Sequence, residues 1–217
     1  MSTIIPKITF QPKTQEKLRT IIGAEIKQFG NQCDLNHIDV SLITDFSNFF
    51  RGSEFSGDIS KWDVSSVTSM SAIFYNSEFN GDISNWNVSK VKDMVSMFDS
   101  SKFDGDISGW DVSKVEDMCH MFYGSEFNGD LSGWDVSSVV EMSNMFEGSK
   151  FYGTILNWNR LSVALDDDMF LGSAVAEKIK AKNPSFEEVR SHFLELNLES
   201  HLRAIEPGDP LSSKIRL

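Results

Sequence analysis

Cysteine is scarce in this chain, and apolar runs long enough to cross a membrane are missing. The two cysteines, Cys33 and Cys119, lie at unequal phases of the sequence pattern described below, which argues against a disulfide framework and for reduced thiols. No stretch approaches the roughly 18 to 20 apolar residues of a membrane span. The opening MSTIIPKITFQPK lacks a basic segment followed by a long apolar one, so no secretory leader is expected and the chain reads as cytoplasmic, a cell-surface address requiring a leader outside these residues.

Basic charge is short as well. Lys and Arg number 20 against 32 Asp and Glu, for a net charge of −12. The imbalance is local: residues 35 to 174 carry 22 acidic and eight basic groups, whereas the segments on either side are close to balanced. Such a surface repels nucleic acid phosphates and membranes and favours a basic protein partner. Catalytic signatures are lacking too. There is no G-x-S-x-G elbow, phosphate loop or dinucleotide fingerprint. None of His37, His120, His192 and His201 stands at a metal-ligand spacing from a cysteine or carboxylate. The expectation is therefore no enzyme, no cofactor and no metal.

What the chain does have is a period. Phe55, Phe79, Phe103, Phe127 and Phe151 recur every 24 residues, and Trp62, Trp86, Trp110, Trp134 and Trp158 follow each by seven. A second series, Phe50, Phe74, Phe98, Phe122, Phe146 and Phe170, keeps the same interval. A period of this length predicts a solenoid, whose units bury their apolar faces only by stacking. Within a unit, Gly57 supplies a turn and Asp58-Ile59-Ser60-Lys61-Trp62-Asp63-Val64 has the β-favouring content of a short strand. Val67, Met70, Ile73 and Phe74 then change spacing to three and four, which predicts a short helix. Ser65, Ser89, Ser113 and Ser137 occupy its N-cap place, and Ser113 with Glu116 has capping-box spacing.

The predicted fold class is thus an α/β solenoid, leucine-rich-repeat-like, with one short parallel strand and one short helix per 24-residue coil and helical caps at both ends. Residues 1-32 form an N-terminal helical cap, with Leu18, Ile21, Ile22, Ile26 and Phe29 on one face ending near Gly30. Residues 33-174 form six coils, the first diverged, with Cys33 in the glycine place and Ile38 in the tryptophan place. The last coil breaks pattern at 159 to 161 and has Asp166 in the methionine place. Residues 175-217 form a C-terminal helical cap and tail. Its helices are expected near 173 to 182 and 185 to 203, the second with Phe186, Val189, Phe193 and Leu196 as its apolar stripe.

The string FNGDISNWNVSKVKDMVSMF, repeated in close variants over residues 33 to 174, resembles the BspA-type leucine-rich repeats of bacterial surface proteins. The resemblance implies a leucine-rich-repeat-like solenoid with an adhesion or protein-binding role, and it carries over no catalytic residue.

Two aspartate series recur with the period. Asp58, Asp82, Asp106 and Asp130 would stack like charges about 5 Å apart, which is tolerable if each carboxylate bonds local amides; the series Asp63, Asn87, Asp111 and Asp135 admits an asparagine, as a hydrogen-bonding role would. Binding residues are sought where the copies differ. The place before tryptophan varies, as does a place on the expected helix, from Thr44 and Thr68 to Ala164. The candidate contact ladder is the place after the Met-Phe pair: Arg51, Tyr75, Asp99, Tyr123 and Glu147, because Tyr and Arg are enriched at binding hot spots. The functional expectation is a non-enzymatic repeat module binding a protein partner, one with a basic surface, through an acidic face. The alternatives are a bacterial surface adhesin fragment, or a phage-type inhibitor that imitates nucleic acid against a nuclease or defence complex.

Overall fold

The computed structural model describes residues 10–158 and 167–204. The break expected at 159 to 161, the Asp166 and Ala164 places and the tail beyond 204 lie outside them.

The copies are joined at their own period. Among the described residues, single parallel bridges pair Asp34 with Asp58, Asp45 with Ser69, Ser69 with Asp93, Asp93 with Asp117 and Asp117 with Glu141. Of the strand expected in each first half, only the Asp34–Asp58 bridge and one from Phe10 to Ile38 are present among the described residues; the other bridges lie in the second halves. The aspartates of the first halves explain why: the Oδ1 atoms of Asp58, Asp82, Asp106 and Asp130 accept the amides of Ser60, Ser84, Ser108 and Ser132 at 2.8 to 2.9 Å, curling the chain into Asx turns in place of an extended run.

The helix expected in each second half is not formed either; no residue between 31 and 157 is helical. The segment is a train of turns. In one copy the amides of Ile73, Tyr75 and Ser77 donate three residues back, to Met70, Ala72 and Phe74, while those of Met70, Ala72, Phe74 and Asn76 donate to Asp93, Val95, Met97 and Asp99 of the next copy. Ala72 and Asn76 hold φ of 53° and 48°, and Ser96, Ser100 and His120 take the same left-handed conformation in later copies. A left-handed residue every fourth position is incompatible with a right-handed helix. The serines expected as N-caps instead donate their own amides: Ser65, Ser89, Ser113 and Ser137 bond Oδ1 of Asp63, Asn87, Asp111 and Asp135 at 3.0 to 3.1 Å. Glu116, the other half of the expected capping box, pairs with Lys92 at 2.7 Å.

The core is built of ladders. Rings from Phe50 to Phe170 lie 5.5 to 5.7 Å apart and within 10° of parallel, with the Phe55 to Phe151 rings in a second column at 6.2 to 6.5 Å. Offset stacking at such distances adds to the burial of each ring. Every tryptophan is buried, and each indole N–H donates to the carbonyl 27 residues earlier, from Trp62 to Leu35 at 3.1 Å through Trp158 to Leu131 at 2.7 Å. The consensus glycine has a steric cause: a Cβ on Gly81 would meet two ring carbons of Phe79 at 2.8 Å, and none of the glycines at this place has positive φ.

Helix α1, Gln15–Phe29, starts at Thr14, whose side chain accepts from Lys17, and stops at Gly30 with φ 87°. Leu18 and Ile22 are buried and Ile21 and Ile26 pack beside them, while Phe29 is left exposed. Because the amides of each turn segment donate to the following copy, the turn segment of the first copy presents a row of carbonyls. Helix α1 meets it: Gln15 Nε2 donates to Asp45 and Ser47, and Arg19 donates to Asn48 and Phe49 at 2.7 Å each. At the other end α2 spans Ala174–Ile179 and α3 spans Phe186–Ala204. Ser185 and Glu188 exchange bonds as a capping box at the start of α3. Phe186, Val189 and Phe193 are buried, but Leu196, expected to complete that stripe, is 40% exposed. The helix runs on past the surface that the first three residues cover.

Candidate binding face

Four columns of hydrogen bonds define one face of the repeat. The outermost links Gly52 N to Tyr75 O, Asn76 N to Asp99 O, Ser100 N to Tyr123 O and Gly124 N to Glu147 O, each at 2.7 Å. This column aligns the five residues singled out by their variation, Arg51, Tyr75, Asp99, Tyr123 and Glu147, one copy apart. They do not contribute alike. The Arg51 guanidinium lies over the Tyr75 ring at 4.1 Å, Tyr123 is 36% exposed, and Asp99 is only 7% exposed. Asp99, expected as a surface contact, is therefore a buried carboxylate; it accepts from Ser100 Oγ at 2.7 Å, and burial pushes its pKa up, with His120 and Arg51 acting against that. Glu147 accepts from Asn144 Nδ2, and the His120 ring stands 5.5 Å from that of Tyr123.

The opposite border of the face is a column that the sequence reading did not single out: Asp45, Ser69, Asp93, Asp117 and Glu141, joined by the parallel bridges. Its signal was available, since each member directly precedes the Phe or Met place, but Ser69 interrupts the acidic run. Three carboxylates follow one another, Asp93, Asp117 and Glu141, each accepting the amide two residues on at 2.8 to 3.0 Å. Asp117 is half-buried and its pKa is raised, first by burial and then by Asp93 and Glu141. Between the borders run small or polar side chains: Ser47, Ser71, Val95, Cys119 and Ser143, then the left-handed residues Asn48, Ala72, Ser96, His120 and Asn144.

Cys119 Sγ lies 2.9 Å from His120 Nδ1, but burial together with Glu141 and Asp117 pushes the thiol up to about 11, so it is protonated at neutral pH. Both cysteines are free. Among the described residues no group of three or more His, Cys, Asp or Glu is arranged to hold a metal ion, and no helix is long and apolar enough to cross a membrane. The other two variable places lie elsewhere: the residues before tryptophan from Lys61 to Asn157 are exposed, and Lys92 and Glu116 pair in solvent across adjacent copies.

No curated protein and no solved structure matches the chain. A family model described as "Mycoplasma protein of unknown function, DUF285" matches residues 20–126 and again residues 81–183. The two matches overlap and together span well over half of the chain, and the protein belongs to this family of repeat proteins.

Proposed function

We propose that the chain is a non-enzymatic binding module, a leucine-rich-repeat-like solenoid of the BspA type, which holds a basic protein on the face bordered by the tyrosine and carboxylate columns. The observation that carries this reading is the stack of Asp93, Asp117 and Glu141 on one border and an exposed tyrosine on the other, of a face floored by small or polar side chains. Like charges held one copy apart, about 5 Å, raise each other's energy in the free protein, and a partner's cations relieve that cost on binding. Tyr and Arg on the other border are the residue types that carry interface energy. The motif resemblance supports the same class of function. The backbone hydrogen bonds of the face run along the repeat axis, so a partner is recognised by side chains and not by strand addition.

Photo-crosslinking tests this directly. A crosslinking amino acid replacing Ser71, in the floor of the face, should trap a basic protein from the source cell, whereas the same residue replacing Lys90, exposed in the turn at 89–90, should not. Equal trapping from both positions, or from Lys90 alone, places the interface elsewhere.

A further inference from the structure

Along the outer column the order of groups is a cation, a ring, a carboxylate, a ring and a carboxylate: Arg51, Tyr75, Asp99, Tyr123, Glu147. The first ring already has its cation. Arg51 stacks on Tyr75 at 4.1 Å, and its charge also reaches Asp99. The second ring belongs to the residue between two acidic ones in the column, with backbones about one strand spacing of 5 Å apart, and among the described residues no lysine or arginine lies over it. Its neighbour is the imidazole of His120 at 5.5 Å between centroids. A π face next to anions is a favourable place for a planar cation, because the ring quadrupole and both carboxylates act in the same direction.

We propose that Tyr123, flanked in the column by Asp99 and Glu147, is a slot for a guanidinium side chain supplied by the bound partner, repeating in trans what Arg51 does for Tyr75. The proposal rests on the reading of this face as the binding face and adds the chemistry of one contact. Guanidinium fits better than ammonium: it is flat, weakly hydrated and able to stack while donating in its plane to two carboxylates at once. Asp99 supplies a poorly hydrated anion on one side of the slot, since only 7% of it is exposed. Glu147 is more open, and its bond from Asn144 Nδ2 holds it in place.

The chain has three tyrosines, so tyrosine-labelled protein gives three ring signals, assignable by replacing each in turn with phenylalanine. Titration with N-acetyl-arginine methylamide should shift the Tyr123 signal saturably and leave Tyr152, which bonds His192 at 3.1 Å, unmoved. The uncharged citrulline analogue should produce no shift, and the lysine analogue a shift about tenfold weaker in concentration. Asp99→Asn should abolish the arginine response, and Glu147→Gln, which alters a more exposed group, tests the slot should Asp99→Asn fail to fold. A citrulline response equal to that of arginine, equal shifts of Tyr123 and Tyr152, or no shift at all would overturn the slot. Since the probe is a single amino acid, such a failure leaves the larger face untouched, while a positive titration without crosslinking from position 71 would count against the face alone.

Discussion

The indole nitrogen of Trp110 donates to the carbonyl oxygen of Ile83 across 3.1 Å, inside a core where both residues are almost fully buried. The bond joins one copy to the one before it, so the tryptophan is a fastening between copies as well as a filler. Trp110→Ala should destabilise the protein by about 3 to 5 kcal/mol through the cavity alone. Trp110→Phe, which fills much of the space and removes the bond while the Ile83 carbonyl keeps the Trp86 amide as donor, should cost less, about 0.5 to 1.5 kcal/mol. Chemical denaturation of both variants checks this; a Phe variant as stable as the parent would mean that the bond contributes nothing.

The glycines separate two uses of one residue. Gly105→Ala forces a Cβ to within 2.8 Å of the Phe103 ring and should cost about 1 to 3 kcal/mol. Gly109→Ala meets nothing within 4 Å and should stay within about 0.5 kcal/mol of the parent. Thermal melts of the pair test the assignment, since a common loss in both would point to backbone conformation and not to the ring.

Much of this was legible in the sequence because aromatic residues cannot drift. The spacing of Phe50, Phe55 and Trp62 and their repeats identified the period, the core and the ladder that runs from Arg51 to Glu147. The local geometry was hidden for a physical reason: Val67, Met70, Ile73 and Phe74 suit one face of a helix and equally suit successive tight turns, whose inward positions also recur at three and four. The left-handed Ala72 and Ser96 carry no glycine to announce them. The burial of Asp99 was unreadable, since the period places it in a column whose other members are exposed or half-buried. The acidic border was missed because Ser69 interrupts it.

Arg19 ties α1 to the row of carbonyls at the start of the repeat, with two bonds of 2.7 Å and its guanidinium 4.6 Å from the Phe49 ring. Arg19→Ala should cost about 2 to 4 kcal/mol and should first loosen the initial copy. Hydrogen exchange reads this locally: the amides from Phe46 to Gly52 should lose more protection than those from Met118 to Gly124. Uniform loss would indicate a global effect and not an end contact.

Stability should depend on pH with opposite signs in two ranges. Asp82, Asp106, Asp111 and Asp135 have pKa values below the ordinary 3.8 because of their serine bonds, led by the Ser84 and Ser108 amides for the first two and the Ser113 and Ser137 hydroxyls for the others. The unfolded chain takes up those protons first, so their contribution is complete above about pH 4 and is lost as pH falls through the lowered values. Asp99 and Asp117 are raised above 3.8, chiefly by burial; here the folded protein is protonated first, and stability increases as pH falls from neutral toward about 4. The melting temperature should accordingly rise slightly on mild acidification and then drop steeply. Asp117→Asn should flatten the rise and spare the drop; an unchanged profile would contradict the assignment.

The central claim is that the carboxylate and tyrosine columns form the binding face for a basic protein. Its most direct test is quantitative mass spectrometry of proteins captured from the source cell by the parent chain and by a triple variant, Asp93→Asn, Asp117→Asn and Glu141→Gln, at about 50 mM and about 500 mM salt, a range over which screening shortens to a few ångströms. The account predicts a basic protein retained by the parent at low salt and lost both at high salt and in the folded triple variant. The same protein retained equally in all four conditions would contradict it.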